Sequence, residues 1–328
     1  MKELLIKKLD GIGLLSKQVS DLGNVTTGCY ALNKIISDDY NKGIPIGMIT
    51  QFIGESSTAK TAFALQVLKG AQDQGYYPVL IDSENAINRK FAESFGVSDL
   101  FYAAPPTMEE CFEVMQTVIN EIRETDKNTP IVFVYDSIAA SPTKKELDLP
   151  SFDMDNMIGA VRAKIAGNCL KRINTLLRGK KVALVIINQF RSKVIAFGNP
   201  NTQAGGGRSL PYWLGVDLTC KSNKTSDLVK DERGKTVGIR GKVQNTKNKV
   251  GHPYQECAFE LLYGKGLTKT YGLLELLEID GYVNRSGAWY SITEGGEKFQ
   301  SKNFVENLET NSSKGWETLR NLLDLSCK

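Results

Sequence analysis

The 328-residue chain carries a single histidine, His252, and its six cysteines (Cys29, Cys111, Cys169, Cys220, Cys257 and Cys327) nowhere form a Cys-x-x-Cys pair. One histidine excludes a His-rich metal centre and argues against Ser-His-Asp chemistry. Its place before Pro253 reads as a surface turn. Scattered cysteines imply neither a zinc site nor a disulfide framework, and they suit a reducing compartment. Long apolar runs are missing too. Stretches such as Val182 to Ile187 fall far short of the roughly 20 residues that a membrane helix needs. The N-terminus has lysines but not the continuous apolar core of a signal peptide, so a cytoplasmic protein without a membrane partner is expected. Internal repeats and low-complexity segments are also lacking.

What is present suits a large globular core: 41% of residues are hydrophobic and 24% charged, enough for one large domain or two unequal ones. A net charge of +4 does not by itself demand nucleic acid. Its distribution is uneven, however. Lys221, Lys224, Lys230, Arg233, Lys235, Arg240, Lys242, Lys247 and Lys249 face only Asp227, Asp231 and Glu232 in the same stretch. Both a solvated charged face and a DNA-binding surface account for that stretch.

The periodicity predicts alternating strands and helices. Met48 to Ile53 reads as a strand entering a turn, and Ala62 to Gln74 as a buried helix with Phe63, Leu65, Val67, Leu68 and Ala71 on its apolar side. Apolar runs recur at Tyr77 to Ile81, Ile131 to Tyr135 and Val182 to Ile187, separated by helical spacing at Met108 to Arg123 and Met157 to Leu177. Such alternation implies a mainly parallel sheet whose ligands sit beyond the carboxyl ends of its strands. After Tyr263 a helix over Leu273 to Ile279, a short strand at Ala288 to Ser291 and a helix over Trp316 to Leu325 form a small α/β appendage.

The turn after the first strand holds Gly54, Glu55, Ser56, Ser57, Thr58 and Ala59, then Lys60, Thr61 and Ala62. A phosphate loop needs inward backbone N–H groups, a lysine to bridge phosphates, and a hydroxyl for Mg²⁺ at the start of a helix. Gly54, Lys60 and Thr61 have that spacing. The spacing alone is common by chance, and its position between an apolar strand and an apolar helix is what gives it meaning. The second strand ends in Asp82-Ser83-Glu84, where Glu84 is the candidate to orient an attacking water; a surface ion pair is the plainer alternative. The third ends in Asp136, placed to accept from a Mg²⁺-bound water, and the fourth in Asn188-Gln189, where Gln189 can sense a γ-phosphate without adding charge. A long connection then runs from Arg191 and Lys193 to Gly205, Gly206 and Gly207, and its cations, apolar residues and bare amides suit single-stranded nucleic acid.

Taken with Phe-Gly-Asn-Pro (197 to 200), Lys-Asn-Lys (247 to 249), Leu-Tyr-Gly-Lys-Gly (262 to 266) and Gly-Ala-Trp-Tyr-Ser (287 to 291), these segments resemble the RecA family of recombinases, as a diverged bacterial or phage member. The resemblance implies an α/β fold: a RecA-like ATPase core with two DNA-binding loops over 26–265, an N-terminal oligomerisation arm over 1–25 and a small C-terminal domain over 266–328. It implies ATP and Mg²⁺ as cofactors, with Lys60, Thr61, Glu84, Asp136 and Gln189 as ATPase residues. Phe91 would stack on the base and Tyr263 approach it, and Lys247 and Lys249 would reach the γ-phosphate of a neighbouring copy. Met157 and Arg162 would belong to the first DNA loop. Arg191, Lys193, Val194 and Gly205 to Gly207 would belong to the second, with Val194 as an apolar wedge between base triplets. The implied partners are single-stranded DNA, double-stranded DNA and further copies of the chain in a helical filament, in the cytoplasm of a bacterium or a phage host.

The chain departs from the family pattern in places. Ala59 replaces the loop glycine, and because alanine accepts ordinary helical entry but not φ > 0, the change bears on hydrolysis more than on nucleotide binding. Asn88 stands where an aspartate often faces adenine, and so bears on base selectivity. Two rival readings are an accessory paralogue that binds DNA and ATP without strand exchange, and a hexameric motor of the same fold. Glu84 with both lysines argues against the first, and the Lys-Asn-Lys and Gly-Ala-Trp-Tyr-Ser segments against the second.

Overall fold

The structure is a computed structural model that describes residues 22–98, 100–149, 156–192, 202–204, 209–223 and 226–324. The chain opens with strand β1 (Asn24–Val25), helix α1 (Tyr30–Ser37), β2 (Ile44–Pro45) and β3 (Ile49–Gly54). Next come α2 (Lys60–Asp73), β4 (Tyr77–Asp82), α3 (Arg89–Glu93), β5 (Phe101–Ala103) and α4 (Met108–Thr125). They are followed by β6 (Ile131–Asp136), α5 (Lys144–Leu147), α6 (Asn156–Leu177), β7 (Val182–Ser192), β8 (Thr202–Ala204) and α7 (Leu210–Trp213). Strands β9 (Leu214–Lys221), β10 (Leu228–Lys230), β11 (Thr236–Asn248), β12 (Glu256–Leu262) and β13 (Gly266–Leu267) complete the main sheet.

That sheet has the order β13-β12-β11-β9-β3-β7-β6-β4-β5. From β9 to β5 every pairing is parallel. Strands β11, β12 and β13 continue it as an antiparallel wing, with β10 on the side of β11. The parallel strands are continuous apolar runs because helices cover both faces. Alternate residues of β6 show the division: Val132 and Val134 join the cluster that contains α1 and α2, whereas Ile131, Phe133 and Tyr135 join the one that contains α4 and α6.

Beyond the sheet, α8 (Leu273–Ile279) leads to a three-stranded antiparallel sheet of β14 (Val283–Ser286), β15 (Trp289–Ile292) and β16 (Lys298–Gln300), then to α9 (Phe304–Thr310) and α10 (Lys314–Leu322). Trp316 is buried against Phe299, with ring centroids 4.8 Å apart. The appendage is tied to the core through Asp280, which accepts from Tyr40 Oη at 2.7 Å and pairs with Lys34 at 2.9 Å.

Two features differ from the sequence reading. Strand β7 does not stop at Gln189. It continues to Ser192, because the hairpin partner β8 supplies hydrogen bonds that the sheet interior no longer provides. The wing was visible only as a basic stretch. His252 is exposed, in the turn region between β11 and β12, with Nδ1 3.4 Å from Asp38. Among the described residues no helix is long and apolar enough to cross a membrane.

Candidate functional site

Strand β3 delivers Gly54 to the sheet's carboxyl edge, where a Cβ would lie 2.4 Å from the Cys220 carbonyl oxygen and 2.7 Å from Thr58 Oγ1. Only glycine fits. The loop then turns through two left-handed residues, Ser57 (φ 66°) and Ala59 (φ 64°), before α2 begins at Lys60. Ala59 is therefore held in the region that alanine disfavours, at a cost of about 1–2 kcal/mol that a glycine would not incur. Buried Lys60 donates through Nζ to the Glu55 carbonyl at 2.5 Å, so the loop is closed around its own ammonium at the N-terminus of a 14-residue helix.

One residue on, Thr61 Oγ1 donates to Asp136 Oδ2 at 2.8 Å. Burial pushes the Asp136 carboxyl up to about 6; the Thr61 hydrogen bond and Lys60 work against that rise, while Glu84 and Asp82 add to it. Of the two carboxylates at the end of β4, Asp82 is buried and accepts the backbone N–H groups of Glu84 at 3.2 Å and Ile87 at 3.0 Å. It holds the turn that turns Glu84 outward, where Glu84 Oε1 accepts from Ser137 Oγ at 2.6 Å.

Asn188, buried in β7, positions the backbone of Gln189 through its Oδ1 at 2.9 Å and donates to Gln51 Oε1 at 2.8 Å. Gln51 in turn donates to Asp217 Oδ1 at 2.8 Å, and burial raises the Asp217 carboxyl above its ordinary value. Lys247 stands opposite Asp217 in the β11–β9 register, and Asp217 opposite Gln51, three residues before Gly54. Lys247 and Lys249 thus lie toward the amino edge of the sheet, away from the chain's own loop at residues 54–61. Lys247 Nζ donates to the Pro211 carbonyl at 2.5 Å, and desolvation, then repulsion from Lys249, lowers its pKa.

One cleft of about 470 Å³ gathers residues 56–62, Glu84, Phe91, Asp136, Gln189 and Tyr263. Gly54 and Glu55 do not line it, although the Glu55 carbonyl accepts from Lys60. Neither Lys247 nor Lys249 lines it. Phe91 and Tyr263 are 39% and 55% exposed, leaving ring faces open to a planar ligand; Phe91 leans edge-on against Phe95 at 5.2 Å. Sequence reasoning missed Ile187, Ile239 and Leu261 in the cleft wall, since nothing but tertiary packing distinguishes them from other buried aliphatics. Asn88 also has a structural role that its residue type did not reveal. That side chain caps α3 by accepting from Phe91 N at 2.9 Å and lines a neighbouring depression, because a helix start needs an acceptor there.

Of the DNA-binding expectations, Lys193, Val194, Gly205, Gly206 and Gly207 lie outside the described residues. Arg191 stands in β7 opposite Gln203, and Met157 in the first turn of α6. Arg162 is placed differently from a free phosphate ligand. Its Nη1 lies 3.1 Å from Glu146 Oε1, and its Nη2 donates to the carbonyls of Ile138 at 3.1 Å and Ala139 at 2.8 Å. Among the described residues no group of three His, Cys, Asp or Glu could hold a metal. A hard cation that keeps water and phosphate as ligands needs only the Thr61–Asp136 oxygen pair.

The family described as the RecA N-terminal domain matches residues 8–268. The chain is 33% identical over 270 residues to protein RecA of Aquifex aeolicus, covering 80% of this chain and 74% of that one. It is 30% identical over 329 residues to protein RecA of Mannheimia haemolytica, covering 97% and 84% respectively. With the Haemophilus ducreyi protein of that name the identity is 31% over 317 residues.

Proposed function

The chain belongs to the RecA family, and we propose that it is an ATP-dependent DNA recombinase that coats single-stranded DNA as a helical filament, pairs it with homologous duplex and exchanges strands in recombination and repair. The observation that carries this reading is the single cleft in which Lys60, Thr61, Glu84, Asp136 and Gln189 meet. Lys60 and the N-terminus of α2 hold phosphates, and Glu84 orients the attacking water. Thr61 and Asp136, oxygen donors in mutual contact, fit Mg²⁺, which when bound neutralises charge on the phosphoryl oxygens. Phe91 and Tyr263 take the base between them. Gln189 senses the γ-phosphate, and Lys247 and Lys249 of the neighbouring copy complete the site from outside. Met157, Arg191, Lys193, Val194 and Gly205 to Gly207 face the DNA, and the protein works in the cytoplasm.

A second reading, an accessory filament that holds ATP and turns it over slowly, is favoured by one observation, the left-handed Ala59. ATP turnover with and without single-stranded DNA at low salt tests the main reading. DNA-stimulated phosphate release is the expected result, and turnover indifferent to DNA contradicts it.

A further inference from the structure

Helix α6 begins at Asn156, so that its first turns carry the C-terminal part of the expected first DNA loop, and it packs on the sheet through Ala166, Leu170, Ile173 and Leu177. Its Arg162 side chain is only 12% exposed, and that of its partner Glu146 7%. The guanidinium grips two successive carbonyls, Ile138 and Ala139, at 3.1 and 2.8 Å. These residues directly follow Ser137, whose hydroxyl donates to Glu84 Oε1 at 2.6 Å. On its other side Ser137 is held at the end of β4, its N–H donating to Ser83 Oγ at 3.1 Å and its carbonyl accepting from the same hydroxyl at 3.0 Å. Residues 137–139 are therefore clamped between the carboxylate that faces the nucleotide cleft and the helix that faces DNA.

We propose that Arg162 is a positioning residue that couples DNA at α6 to Glu84, and not a phosphate ligand. A guanidinium already neutralised by a nearly buried glutamate and directed at two carbonyls has little left to offer a phosphate, and moving it outward would break four polar contacts. Without DNA, Arg162 holds the 137–139 turn so that the Ser137 hydroxyl occupies a Glu84 oxygen. DNA bearing on the start of α6 shifts the turn and frees that oxygen for water. This inference rests on the recombinase reading above.

The test uses the full-length Arg162→Ala, Arg162→Lys and Ser137→Ala chains. ATP turnover is measured without DNA and at saturating single-stranded DNA, together with DNA affinity against salt. In Arg162→Ala and Ser137→Ala the DNA-free rate should rise about fivefold or more, bringing the stimulation ratio near one, as removal of a brake on a general base implies. DNA affinity should stay within about threefold, with its salt slope unchanged. Arg162→Lys keeps charge but not the two-carbonyl grip and should behave like the alanine variant. Affinity reduced about tenfold with a salt slope lower by about one, and stimulation retained, would make Arg162 a phosphate ligand and overturn the coupling. If Arg162→Ala does not fold, Ser137→Ala decides: a wild-type ratio overturns the proposal. A wild-type chain that DNA does not stimulate overturns the recombinase reading as well, whereas stimulated variants beside a stimulated wild type sink the coupling alone.

Discussion

Strands β3, β4, β6 and β7 run parallel and bring Gly54, Glu84, Asp136 and Gln189 to one edge of the sheet, whereas β11, in the wing, runs the other way and carries Lys247 and Lys249 toward the opposite edge. Direction alone produces that separation. A parallel strand returns its polar end to the same edge each time, and an antiparallel one must deliver to the far side. One chain thus presents the cleft of residues 56–62 at one edge and a pair of cations at the other. Under the proposed function these are the two halves of one catalytic site, which would meet only when copies stack head to tail, an arrangement that does not close on itself unless the rotation permits.

The contrast can be broken most forcefully from the parallel side. Glu84→Gln should lower phosphate release by about 10²-fold or more while a fluorescent ATP analogue still binds within about threefold, since the carboxylate acts on water and not on the ground-state nucleotide. Equal loss of binding and turnover would make Glu84 a structural residue.

A smaller effect separates the Asp136 carboxylate from the wing. Its folded pKa, about 6, lies above the ordinary value, so its contribution to metal-free stability is fully present below the unfolded pKa and is lost as pH rises through about 6. Proton and Mg²⁺ compete for the same oxygens. Mg²⁺-nucleotide affinity should therefore weaken about tenfold between pH 7.5 and pH 5, and Asp136→Asn should flatten that dependence. The smallest effect is conformational. Ala59→Gly relieves the left-handed strain and should stabilise the nucleotide-free chain by about 1 kcal/mol, seen as a melting rise of about 2 °C, and speed hydrolysis if strain is what slows it. A fall in melting temperature would contradict the left-handed placement.

The same contrast governs what is legible in the amino-acid sequence. In the parallel half each apolar run is followed within a few residues by its candidate site residue, as Ile131 to Tyr135 is by Asp136, so strand ends and site candidates are legible together. The wing obscures its pattern. Strand β12 alternates buried with partly exposed positions, and β11 is interrupted by glycines such as Gly241, where a Cβ would come within 2.3 Å of the Lys221 carbonyl oxygen. Lys247, Lys249 and Tyr263 could be named only by resemblance. The helix cap made by Asn88 and the carbonyl clamp made by Arg162 are tertiary facts, invisible in residue type.

The shared site is tested most directly by mixing two inactive chains, Glu84→Gln with both lysines intact, and Lys247→Ala/Lys249→Ala with Glu84 intact. In a head-to-tail filament formed from equal amounts, about a quarter of interfaces join an intact Glu84 to intact lysines, so turnover on single-stranded DNA should recover to about a quarter of the wild-type rate. A mixture as inactive as either parent would show that the lysines serve the cleft of their own chain or none, and the account of a site divided between two edges of the sheet would fall.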